Sequence, residues 1–262
     1  MAQVPFQGVA SPLSNNGLTN VASLLGVFAA EIWTVLAVET SCCGYMPDRR
    51  PQILFERHIF HRLTNGQFDD GDISDPTPGG YGPTGSHQYD RLAKAVALNR
   101  SAALQSASWG IGQVMGENFV RAGFPQVDAM VSAMSNSEDD QLLAVGKFLM
   151  ATGLSGPLQA HNWTAFARGY NGPNFAINRY DILLNGEFQK FSSGVLPDLD
   201  VRAAQLYLTY LGFHPGSVDG IAGRQTMAAL AQFQTQARLT ASTTIDSVCV
   251  GQLQSAMATA AV

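Results

Sequence analysis

Glu39 closes a stretch in which Phe28, Ile32 and Val35 recur at helical spacing, and a further step of four puts its carboxyl on the same apolar stripe. A carboxyl on such a face is costly to ionise, and desolvation raises its pKa toward the range of a general acid. The plain alternative is a helix-terminal glutamate that reaches water or pairs with Arg49 or Arg50. A second constellation is Ser108-Trp109-Gly110-Ile111-Gly112-Gln113-Val114-Met115-Gly116. Its glycines let a backbone approach a ligand closely, while Ser108 and Gln113 can hydrogen-bond sugar groups; close packing alone is the competing explanation. A third, Tyr170-Asn171-Gly172-Pro173, offers an aromatic face, an amide and a turn suited to a sugar ring, or simply ends a helix.

Other reactive residue types carry less. His58 and His61 stand three apart, but no His-Glu-x-x-His or Cys-x-x-Cys accompanies them, so no metal site or cofactor is expected. The acidic run Asp69-Asp70-Gly71-Asp72, with Asp75 nearby, lacks the spacing of a calcium loop and reads as solvated. Cys42, Cys43 and Cys249 form an odd set with two adjacent members, which reads as reduced thiols.

The elements that would position these groups are mainly helical. Residues 20–39 read as one or two helices broken near Gly26. Residues 41–84, rich in Gly, Pro and Asp, read as loop with short ordered pieces such as ILFERHIF. Helical patterns return in YDRLAKAVALN, AALQSASWG, VDAMVSAMSN and EDDQLLAVGKFLMAT. Small residues at 191–194, followed by Pro197, mark a short linker, which implies a large unit over residues 1–192 and a separable small one over 196–262. In the small unit Val201, Ala204, Leu208 and Leu211 form one helical stripe, and Met227, Leu230, Gln234 and Ala237 a second.

A chain of 262 residues with 46% hydrophobic content can bury one substantial core beside a small one. The net charge of −5, with scattered basic residues, excludes the basic stripe that nucleic acid requires. The N-terminus lacks a basic export signal, and Glu31 interrupts the apolar run 21–38 before a bilayer is spanned, so no stable membrane association is expected.

Taken together, Glu39 with Ser41 and Gly44, then SWGIGQVMG, then ARGYNGP, resemble in order and spacing the motifs of the lysozyme-like superfamily. Over residues ~20–190 the chain is similar to the phage N-acetylmuramidase family, through LAVETSCCGY, RRPQILFERHIFHRLT, GGYG, QYDRL, SASWGIGQVMG and FARGYNGPNF. The residues after 196 resemble the three-helix peptidoglycan-binding domain, through VRAAQLYLTYLGF, PGSVDGIAG and RQTMAALAQFQ. The resemblance implies a mainly α fold, with a lysozyme-like catalytic domain followed by a three-helix wall-binding domain. It implies an endolysin with Glu39 as acid, cleaving the β-1,4 bond between N-acetylmuramic acid and N-acetylglucosamine. Ser108, Gln113, Tyr170 and Asn171 are the expected substrate-binding residues, and peptidoglycan the expected partner of a monomer. Such a protein would be made in the host bacterial cytoplasm and act on the periplasmic wall. A lytic transglycosylase, using the same glutamate without a second carboxylate, is the alternative chemistry, and a wall-binding virion component the alternative class. For hydrolysis the candidate second carboxylates are Glu56, Asp48, Asp69 and Glu117, with an arginine ion pair the plain reading of Glu56.

Overall fold

The computed structural model describes residues 4–40, 43–68 and 70–260. Helix α1 (Asn15–Leu25) starts where the Ser14 hydroxyl accepts the Gly17 amide and stops at Gly26, whose φ of 65° suits a residue without a Cβ. The expected break near Gly26 is therefore a C-cap. Helix α2 (Ala29–Thr40) follows at 104° to α1, with the Glu31 carboxylate accepting the Phe28 amide at 3.0 Å. Ile32, Trp33, Val35 and Leu36 of α2 are buried, so α2 is a core helix of the large domain. Phe28 departs from the expected stripe: it precedes the helix and is 82% exposed. Among the described residues no single helix is long and apolar enough to cross a membrane.

The stretch after α2 is more ordered than its composition suggests. It contains β1 (Ile53–Phe55) and α3 (Arg57–Leu63), and its loop is pinned by Arg91 of α4 (Ser86–Leu98). The buried Arg91 guanidinium donates to the carbonyls of Asp72 and Phe55 and to the Asp72 carboxylate. Lys94 takes the other Asp72 oxygen at 2.9 Å, and Asp75 lies 3.6 Å from Arg57. The acidic run is thus partly structural, not simply solvated; Asp69 lies outside the described residues.

Helix α5 (Arg100–Gln105) ends earlier than the AALQSASWG pattern predicts, because the chain turns into β2 (Ala107–Trp109). With β3 (Val114–Met115) it forms an antiparallel sheet in the order β1-β2-β3, with Leu54 opposite Ser108 and Ser108 opposite Met115. Beyond it come α6 (Val127–Asn136), α7 (Glu138–Ala151), α8 (Ser155–Gln159), α9 (Trp163–Tyr170) and α10 (Tyr180–Ser193). One apolar core joins these elements, and α10 lies along α2.

The last three helices are α11 (Leu199–Tyr210), α12 (Arg224–Gln236) and α13 (Ser247–Ala260), packed through Ala204, Leu208, Leu230, Phe233 and Leu253. The completely buried Gln205 holds the turn before α12, accepting the amides of Asp219 and Gly220 and donating to Asp219, Ile221 O and Thr226. On its other side α11 packs against the large domain. Leu206 and Val218 share a buried cluster with Ala10 and Tyr45 of the large domain, and the Tyr210 hydroxyl donates to Ala10 O at 3.0 Å. Arg202, completely buried, pairs with the equally buried Glu138 of α7. Cutting the chain near residue 195 would expose this cluster and leave Glu138 uncompensated in the interior.

Candidate active site

Glu39 lies in the last turn of α2, partly open to solvent at its surface yet enclosed by protein around most of its carboxyl. Burial pushes its pKa up from 4.5 to about 7, and a hydrogen bond from Asn171 opposes that rise. Asn171 caps the C-terminus of α9 and donates from Nδ2 to Glu39 Oε1 at 3.0 Å. Its Oδ1 is a buried acceptor with no hydrogen-bond partner among the described residues. Of the arginines in the plain alternative, Arg50 is instead bonded to Asp48 at 2.7 Å and lies over the Tyr89 ring.

Tyr170 ends α9, stacks on Phe166 with centroids 5.5 Å apart and donates its hydroxyl to Gly112 O at 2.6 Å. Burial, with a smaller contribution from the Glu39 charge, holds that hydroxyl well above the usual tyrosine range. Thr40 donates to Ile111 O at 2.7 Å. The SWGIGQVMG hairpin is therefore tied to the helix of the acid at one point and to α9 at another.

In that hairpin the glycines serve packing. A Cβ on Gly110, whose φ is 71°, would lie 2.6 Å from the Gln141 side chain, and one on Gly112 would lie 2.3 Å from Val145. Gln113 itself adopts a left-handed φ of 48°. Ser108 donates to Gln113 Oε1 at 2.7 Å, and Gln113 donates to Gln52 O and Gly110 O. Ser108 and Gln113 thus bond to each other and to backbone. They mark the sheet face that also carries Leu54, while Ile53 and Phe55 point into the core.

By strand alternation Glu56 continues the Leu54 face. Its carboxyl is 14% exposed, with Oε2 3.1 Å from His58 Nδ1, although neither atom makes a well-directed hydrogen bond. Burial raises its pKa, and His58, Tyr81 and Arg91 oppose the rise. The arginine ion pair expected for Glu56 is replaced by these neighbours, with His58 in contact and Arg91 contributing only its charge. Tyr81 is raised by burial first and by Glu56 next, and it also senses Tyr180; Tyr180 is raised by burial and then by Glu39. The Glu39 charge thus acts on Tyr180, and the Glu56 charge on Tyr81. Tyr180 belongs to no motif legible in the sequence, and Tyr81 stood only as the aromatic of GGYG.

The other candidates fall elsewhere. Asp48 is committed to Arg50 and Glu117 to Arg62, while Asp69 and Ser41 lie outside the described residues. His61 Nδ1 lies 3.3 Å from Ser74 Oγ and His58 faces Glu56, so the two histidines do not converge on one point. Cys43 and Cys249 are free thiols, with burial pushing Cys43 up to about 11; Cys42 lies outside the described residues. Two large surface hollows of roughly 590 and 690 Å³ are lined by residues such as Gln7, Gly8 and Val9 and include neither Glu39 nor Asn171. The geometry, not the hollow volume, identifies this site. It can present a carboxyl that is protonated in part at neutral pH and held by one amide.

The N-acetylmuramidase family model matches residues 28–192, and a peptidoglycan binding domain model matches residues 197–253. The crystal structure of Burkholderia AP3 phage endolysin is similar at 34% identity, covering 72% of this chain and 72% of that one, with a TM-score of 0.63. No curated protein matches.

Proposed function

The chain belongs to the N-acetylmuramidase family, and on that footing we propose that it is an endolysin that hydrolyses the β-1,4 bond between N-acetylmuramic acid and N-acetylglucosamine. The observation that carries this reading is the Glu39 carboxyl, raised to about 7 and oriented by Asn171. At neutral pH about half of such a group is protonated and can donate to the leaving glycosidic oxygen. Peptidoglycan is the substrate, with residues 1–192 as the catalytic domain and 196–262 as the wall-binding one; on this reading the protein is a monomer made in the host cytoplasm that acts on the wall.

Asn171 Oδ1, a buried acceptor without a partner, suits the acetamido N–H of a bound sugar. Tyr170 fixes the Gly112 carbonyl, and Ser108 with Gln113 shapes the sheet face along which the glycan runs. Glu56 is the second carboxylate: ionised, it accepts a proton from water that attacks the sugar cation from the sheet side. A transglycosylase has no use for that group, because the muramic acid's own hydroxyl attacks. Mass spectrometry of muropeptides released from purified wall decides between the two. Hydrolysis leaves reducing N-acetylmuramic acid ends, heavier by ~18 Da than the 1,6-anhydro ends of intramolecular attack. A profile dominated by anhydro ends overturns the hydrolase reading and leaves Glu39 as acid.

A further inference from the structure

Glu138 opens α7 and is completely buried. Its carboxylate accepts the Leu13 amide at 2.8 Å and the Gly44 amide at 2.9 Å, both from the catalytic domain. It also accepts both terminal nitrogens of Arg202, which reaches in from α11 of the wall-binding domain, one of them at 2.7 Å. The guanidinium lies 5.9 Å from the ring of Trp33 in α2 and is itself completely buried. Without Arg202 the Glu138 charge would be left buried beside no cation, and its hold on the two amides would be disturbed.

Gly44 matters because it lies just beyond the acid in the chain. A Cβ at this position would meet Gln141 Oε1 at 2.0 Å and Ile111 N at 3.0 Å, so the backbone is pressed against the hairpin. The same Gln141 oxygen accepts the Ile111 amide at 2.7 Å, and Ile111 O accepts the Thr40 hydroxyl at 2.7 Å. Thr40, next to Glu39, and Gly44 are thus both anchored on the hairpin. One anchor depends on the Arg202–Glu138 pair; both converge on Ile111 and Gln141.

We propose that Arg202 is a positioning residue for Glu39: the wall-binding domain completes the catalytic domain by a buried charge clamp that holds Gly44 against Gln141 and Ile111, the hairpin residue to which Thr40 beside Glu39 is bonded. This rests on Glu39 being the acid. It makes the domain more than a tether, since its docking sets turnover as well as wall affinity.

The test compares full-length wild type with Arg202→Met and Arg202→Lys, each checked for folding by circular dichroism. Kinetics are measured on soluble glycan fragments of peptidoglycan, and binding by pelleting with purified wall. The clamp requires that kcat on soluble fragments falls about 10- to 100-fold in Arg202→Met with KM within about twofold, and that Arg202→Lys recovers part of the loss. Turnover of folded Arg202→Met within about threefold of wild type, with weaker wall pelleting, makes the domain a tether only and overturns the proposal. If Arg202→Met does not fold, amide exchange at Gly44 decides. Protection matching the interior of α2 in wild type, and lower in Arg202→Lys, supports the clamp; exchange at loop rates in wild type overturns it. A wild type that leaves glycans uncut removes the functional reading, and the exchange measurement still judges the clamp separately.

Discussion

Replacing Glu39 by Gln keeps the shape of the side chain and its acceptor for Asn171, but removes the proton. Activity on outer-membrane-permeabilised cells should fall about 10²- to 10⁴-fold, the usual contribution of a general acid. The same substitution has a second, independent signature in stability. A carboxyl raised from 4.5 to about 7 by burial binds a proton in the folded state that the unfolded state has already released. The wild type therefore loses stability as pH rises from about 4.5 to about 7, and carries the full penalty above that. At about 1.4 kcal/mol per pKa unit the penalty approaches about 3 kcal/mol, an upper figure because part of the residue faces solvent. Gln does not titrate, so Glu39→Gln should match wild type near pH 4 and be more stable than it at pH 8, by roughly 5 to 10 °C in melting temperature. Thermal unfolding of both proteins at the two pH values measures the difference. A stability gap that stays flat between pH 4 and pH 8 refutes the perturbed carboxyl, and activity above about a tenth of wild type refutes the acid role.

Removing the Asn171 amide takes away the bond that favours ionised Glu39. Asn171→Ala should move the alkaline limb of the kcat–pH profile upward and lower kcat by roughly tenfold through lost orientation, both read from steady-state rates on soluble fragments. Glu56→Gln should leave the fold intact and cut release of reducing-end muropeptides by at least about tenfold; an unchanged product yield would return Glu56 to a structural role beside His58. Gln205→Ala leaves the amides of Asp219 and Gly220 without their acceptor, and should cost about 3 kcal/mol in urea unfolding and weaken wall pelleting.

The enclosed setting of Glu39 was legible because a helix has a fixed period: Ile32 and Val35 place it even though Phe28, the first residue of the stripe, proved exposed. Its partner was legible as a motif and not as a role, since Asn171 is 132 residues away and only the folded chain brings the amide to the carboxyl. The sheet was not legible. A strand of three residues shows no alternation, and its SASW run continued a helical pattern that ended, in the structure, at Gln105. The glycines of SWGIGQVMG could equally have faced a ligand, and only Gln141 and Val145 pressed against them show that they accommodate a helix.

The docking of the two domains left a trace in α11 that one stripe could not express. Ala204 and Leu208 sit four apart and face α12 and α13. Arg202, Leu206 and Tyr210 also sit four apart, and they face Glu138, Ala10 and Tyr45. A helix with two buried stripes lies between two cores, and no flexible linker sets its position. The arginine in the second stripe carries the further consequence that its partner is a buried acid, because a guanidinium enters an interior only with a carboxylate to meet it. Of the acids at the start of α7, Asp139 accepts the Ser14 amide and hydroxyl and Asp140 bonds Ser137 and Asn136, leaving Glu138 to turn inward. The three carboxylates that read as a helix N-terminus thus divide the work: two bond other polar groups, and one joins Arg202 of the wall-binding domain to the Gly44 backbone of the large domain.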